Sequence, residues 1–66
     1  MQIMLNGDPH VVADDTTVAS LVEQLDLAGK RLAVEVNEEV VPRSRHGEHA
    51  LVGGDQVEIV HAIGGG

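Results

Sequence analysis

Apolar residues along this chain follow two periodicities that divide it into elements. Met1, Ile3 and Leu5 occupy alternate positions around Gln2 and Met4, the period of two that a strand with one buried face produces. Asn6-Gly7 follows, a pair that tolerates the positive φ angles of a tight hairpin turn. His10-Val11-Val12-Ala13 is therefore expected to return as a second strand, with Pro9 near the turn, where its missing N–H costs little. The period then changes. Val18, Leu21, Val22 and Leu25 stand at i, i+3, i+4 and i+7, which places all four on one stripe of a helix. Thr17 is the expected N-cap, since its hydroxyl can accept from the orphan N–H groups of the first turn. Asp14 and Asp15 would sit toward the positive end of the helix dipole. Gly29 is expected to end the helix in the left-handed conformation, with Lys30 and Arg31 close to its negative end.

Alternation resumes at Leu32, Val34 and Val36, which read as a third strand. Asn37-Glu38-Glu39 turns the chain, Val40-Val41 forms a short strand stopped by Pro42, and Arg43 to His49 reads as an exposed polar connection. Leu51 is a candidate core plug, and Gly53-Gly54-Asp55 leads into a last strand, Gln56 to Val60. In that strand Val57 and Ile59 share the buried parity, while Glu58 and Val60 face the other way. The apolar stripe of the helix must be covered, and only a sheet is available to cover it. The expected architecture is a two-layer α+β domain, a mixed sheet of four to five strands with one amphipathic helix packed on one face. The domain is expected over 1–63, and Gly64, Gly65 and Gly66 as a flexible glycine tail.

Composition narrows what such a domain can be. There is no cysteine, so neither a disulfide nor a thiolate metal site can reinforce it. Phe, Tyr and Trp are also absent, which leaves the core to aliphatic side chains. Four Lys plus Arg against eleven Asp plus Glu give a net charge of −7, a surface that repels phosphate backbones, so nucleic acid is not an expected partner. No apolar run approaches the roughly 18 residues of a membrane span, and MQIMLNGDPH lacks the basic-then-apolar layout of a signal peptide. A cytoplasmic protein with no membrane association is expected.

Side-chain chemistry is sparse. His46 and His49 with Glu48 between them have the residue types of a metal site, but spacing fixes no third ligand, so no metal is assigned. His10 and His61 have no nucleophile or base relay beside them and read as strand-surface residues. The acid pairs Asp14-Asp15 and Glu38-Glu39 sit at a helix entrance and a turn, and read as structural. Met4, Val60 and Ala62 share the parity opposite the helix and could form an apolar patch for partner docking on the outer sheet face. Arg43 and Arg45 are possible contacts that nothing ranks above ordinary solvated charges. That leaves the glycine end. Glycine averages about 7% of protein sequence, so a terminal Gly-Gly pair arises by chance in roughly one chain in two hundred. Either the run is filler, or the end of the backbone is the working part.

The segments TTVASLVEQL, LAVEVNEEVVPR and GDQVEIVHAIGGG, with the hairpin opening and the overall length, resemble the ThiS family of sulfur carriers in thiamine biosynthesis. The most specific parts are VNEEVVPR and the Gly-Gly end; GDQVEI also occurs in the small subunit of molybdopterin synthase and in other ubiquitin-like proteins. The resemblance implies the β-grasp (ubiquitin-like) fold, with the first and last strands parallel at the middle of the sheet. It implies a carrier and co-substrate, not an enzyme. A ThiF-type adenylating enzyme would use ATP and Mg²⁺ to activate the carboxylate of Gly66, and a persulfide donor would convert it to a thiocarboxylate. A ThiG-type thiazole synthase would then take the sulfur. Gly66 is the modified residue by this resemblance, Gly65 its partner in the motif, and Gly64 an additional small residue. Chemistry agrees with it: a carboxylate is no acyl donor until activated, a mixed anhydride with AMP is, and glycine lets a backbone thread a narrow channel. Five extended residues from Ala62 span on the order of 16 to 18 Å. Carriage in another pathway, molybdopterin synthesis or tRNA thiolation, and a ubiquitin-like modifier remain the alternatives.

Overall fold

A computed structural model describes residues 1–61. The chain runs β1 (Gln2–Leu5), β2 (Asp8–Val11), α1 (Val18–Gln24), β3 (Leu32–Val36), β4 (Glu39–Val41), a 3₁₀ turn over Arg43–Arg45, and β5 (Gln56–His61). The five strands form one sheet in the order β2-β1-β5-β3-β4. β1 and β5 are parallel, while β1 with β2, β3 with β4 and β3 with β5 are antiparallel. The last strand is thus enclosed between the first and third, and whatever follows it leaves from the centre of the sheet.

The first hairpin closes through Asn6-Gly7, at φ 50° and 88°, so β2 begins at once with Asp8 opposite Leu5. Pro9 therefore lies inside β2, opposite Met4. It is tolerated because β2 is an edge strand and the missing N–H faces no partner. The second hairpin closes through Asn37-Glu38, with Val36 opposite Glu39 and φ values of 52° and 70°. Glu38 holds a left-handed position that costs a residue with a Cβ roughly 1–2 kcal/mol and glycine nothing. Replacing Glu38 by glycine is expected to raise stability by on the order of 1 kcal/mol, read as a higher urea midpoint; a lower midpoint would contradict the turn geometry.

Thr17 caps α1 as the sequence suggests: its hydroxyl accepts from the Ser20 N–H at 3.1 Å. Val18, Leu21 and Val22 are buried, whereas Leu25 is the C-cap and only half-buried. The helix ends earlier than Gly29. The left-handed residue that stops it is Asp26, at φ 60°. The Asp26 N–H reaches the Glu23 carbonyl at 3.0 Å and the Leu27 N–H the Val22 carbonyl at 2.9 Å, the paired bonds of a Schellman motif. Leu27 packs against the core beside Val22, and that contact sets the stop at Asp26; Gly29, φ 83°, belongs to the next turn, where the Lys30 N–H meets the Leu27 carbonyl. No acidic side chain occupies the first turn of α1 and no basic one its last. Asp14 instead lies 3.2 Å from the Met1 α-ammonium, which also donates to the Val12 carbonyl at 2.6 Å.

The core lies between α1 and the inner sheet face and is wholly aliphatic: Ile3, Val34, Val36, Val41, Val57 and Ile59 from the sheet, Val18, Leu21 and Val22 from the helix, with Val12 and Leu51 closing its ends. Leu51 is 2% exposed and is held by its N–H to the Thr16 carbonyl. Among the described residues no helix is long and apolar enough to cross a membrane.

Candidate functional site

β5 is the element that leads to the glycine end. Its alternation is strict: Val57 and Ile59 are buried on the helix side, and Gln56, Glu58 and Val60 are exposed on the other. Ala62, Gly64, Gly65 and Gly66 lie outside the described residues. The candidate docking residues within them, Met4 and Val60, share the outer face but are not neighbours. Met4 is half-buried between Pro9 of β2 and Gln56 of β5. Val60, 54% exposed, lies opposite Ala33. Four residues of strand, about 13 Å, separate Gln56 from Val60, with Glu58 between them.

Glu58 stands directly opposite Glu35, which in turn stands opposite Val40 of β4. Like charges so placed repel, and the ion pairs among the described residues, Met1 with Asp14 and Arg45 with Glu48, leave both glutamates uncompensated. The outer face therefore carries exposed aliphatics, Val60, Val40 and Val11, around a negative centre.

The histidines divide differently from the sequence reading. His46 is buried rather than exposed, and its Nε2 lies 2.9 Å from the Val41 carbonyl, to which it donates. The His46 carbonyl accepts from the Ala19 N–H at 2.9 Å, and its N–H donates to the Arg43 carbonyl. One residue thus ties β4, the 3₁₀ turn and the start of α1 together, and the polar connection folds inward at that point. His10 and His49 are half-buried and His61 is exposed. Glu48 pairs with Arg45 at 3.9 Å, and Arg43 donates to the Lys30 carbonyl at 2.8 Å. A surface depression of about 370 Å³ borders Val36, Val40, Pro42, Arg45 and His49, at the opposite end of β3 from His61.

Three turn residues bind β5 in place through side-chain hydrogen bonds that the sequence does not show. Asp55, buried at its start, accepts from the Val52 N–H at 2.9 Å and from the Asn37 side-chain amide at 3.0 Å. Asn37 Oδ1 accepts from the Gln56 N–H and Asn6 Oδ1 from the Ile59 N–H, both at 2.9 Å. The only signal in the sequence is that both asparagines open tight turns, which accounts for their backbone and not for their side chains.

A five-stranded mixed sheet with parallel first and last strands, crossed by one helix, defines the β-grasp class of α+β domains. The whole chain superposes on a crystal structure described as thiamine biosynthesis protein (ThiS) from Geobacter metallireducens, over all of both chains, with a TM-score of 0.87 and 33% identity. The ThiS family model matches residues 3–66, and the chain belongs to that family. Over 66 residues it is 36% identical to the sulfur carrier protein ThiS of Escherichia coli, covering both proteins fully. Over 65 residues it is 37% identical to that of Bacillus subtilis, covering 97% of this chain and 98% of the relative. It is also 46% identical to a thiazole synthase of Magnetococcus marinus, of which it spans all of its own length but 20% of the relative's.

Proposed function

We propose that this chain carries sulfur for thiazole formation in thiamine biosynthesis, on the backbone carboxylate of Gly66. The observation that supports it most is a family match that runs through the glycines, residues 3–66, on a fold whose central strand leads directly to them. Gly66 must be free, either as the natural terminus or after processing. Its carboxylate oxygen attacks the α-phosphorus of ATP on a ThiF-type adenylating enzyme with Mg²⁺, releasing pyrophosphate and leaving an acyl adenylate. The terminal sulfur of a donor persulfide displaces AMP to give an acyl disulfide. A second thiol on the donor side cleaves that S–S bond, is itself oxidised to a disulfide, and releases the thiocarboxylate. Having no cysteine, the chain has no thiol of its own on which sulfur could ride. The thiazole synthase relatives favour a ThiG-type enzyme as the acceptor. Intact-mass measurement of the protein from cells tests the reading: one oxygen at Gly66 exchanged for sulfur is expected, and a chain found only joined to lysines of other proteins would replace it with a modifier role.

The outer face is the proposed docking surface for the adenylating enzyme. Val60 is exposed enough to accept a charge without loss of fold, and Val60→Asp adds a third negative group to Glu35 and Glu58 while removing an apolar contact. A fall in affinity of on the order of tenfold is expected, measured by calorimetry with the adenylating enzyme; unchanged affinity would remove this face from the interface.

A further inference from the structure

β5 is held unequally on its two sides. Against β3 its ladder runs from Val57 opposite Val36 to His61 opposite Leu32. Against β1 it stops at Leu5 opposite Val57, because the chain turns away through Asn6-Gly7. Among the described residues, the central strand from Glu58 to His61 therefore has a strand partner on the β3 side only.

Asn6 fills the first gap on the other side. Its N–H donates to the Val57 carbonyl at 2.9 Å, the last step of the backbone ladder. Its side-chain Oδ1 then accepts from the Ile59 N–H at 2.9 Å, standing where the carbonyl of a longer β1 would stand. This bond crosses 53 residues of sequence and, among the described residues, is the last hold on the β1 side before the chain reaches the glycines. Asn37 does the same at the start of β5 through Gln56.

We infer that Asn6 is a positioning residue for sulfur loading: through Ile59 it limits the directions in which β5 delivers Gly66 to the adenylating enzyme. The inference rests on the carrier reading above. Freedom left in a segment before binding is lost on binding, so restricting it beforehand raises affinity without adding a contact. Ile59 stands seven residues before Gly66, in the last stretch of β5 before the glycine run.

Two substitutions separate the turn from the side-chain bond. Asn6→Gly keeps the left-handed turn and deletes the acceptor; Asn6→Asp keeps both. Thr17→Ala removes the helix cap far from β5 and serves as a control of comparable stability loss. Each full-length variant is loaded by the adenylating enzyme with ATP, Mg²⁺ and the persulfide donor, and the Ile59 amide is followed by hydrogen exchange. For Asn6→Gly, KM for the carrier is expected to rise roughly three- to tenfold with kcat within about twofold, and Ile59 to exchange faster. Asn6→Asp should return KM to the wild-type value, and Thr17→Ala should leave it there. Faster Ile59 exchange with an unchanged KM in Asn6→Gly would overturn the inference, as would an equal rise in KM for Thr17→Ala. A wild-type chain that takes no sulfur at all would instead overturn the carrier reading, and this inference with it.

Discussion

A chain shortened by Gly66 will keep its fold and lose its capacity to be charged with sulfur. The fold should survive because the buried core among the described residues runs from Ile3 to Ile59, seven residues short of the deleted one. The shortened chain still ends in a glycine carboxylate, so a role for chemistry alone would let Gly65 substitute. Reach forbids it. One residue fewer withdraws the carboxylate by about 3.3–3.6 Å, beyond the near-attack distance to a nucleotide phosphorus held in a fixed site, and even smaller displacements cost on the order of 100-fold. Loading by the adenylating enzyme, followed by intact mass, should fall by at least about 100-fold, while the far-UV circular dichroism and the urea midpoint stay at the values of the full chain. Loading of the shortened chain at a comparable rate would end the case for Gly66.

The second large effect concerns stability. Leu21→Ala should leave much of the population unfolded. Leu21 is 0% exposed and lies between Val18 and Val22 on the helix stripe that, among the described residues, covers the sheet. Leu-to-Ala changes at such sites cost about 2.7–5 kcal/mol, the larger values where the surroundings cannot collapse into the space. A domain of this size has in total about 3–10 kcal/mol to lose, and neither a disulfide nor an aromatic side chain supplements the aliphatic core. Urea unfolding followed by far-UV circular dichroism is the appropriate measurement, since the chain contains no Trp or Tyr to report by fluorescence. A loss smaller than about 1 kcal/mol would mean that the helix is not seated on the sheet through this residue. Leu25, half-buried at the helix end, should cost less when truncated in the same way.

These two expectations draw on different kinds of information. The Leu21 stripe, the alternation of Val34 with Val36 and of Val57 with Ile59, the Asn6-Gly7 turn and the Thr17 cap were all legible along the chain. In each, the deciding interactions lie within about four residues: the helical and strand periods, the steric tolerance of asparagine and glycine for positive φ, and the reach of a hydroxyl to an N–H three residues on. Family membership was legible for a related reason, since the segments that carry the resemblance are the strands, turns and glycines themselves. Where local preference met a competing long-range contact, reading along the chain chose the wrong residue or missed the role. Gly29 is the better left-handed cap by intrinsic preference, yet the helix stops at Asp26, because only there does Leu27 pack back onto the core beside Val22. His46 sits among polar neighbours that suggest solvent, yet it turns inward to the Val41 carbonyl, an acceptor created by the position of β4. Asn6 and Asn37 were visible as turn residues, but their side-chain bonds to Ile59 and Gln56 require β5 to arrive between the two hairpins. Backbone preference is a property of a residue and its nearest neighbours, whereas a hydrogen-bond partner 53 residues away exists only once packing has set the register of the central strand.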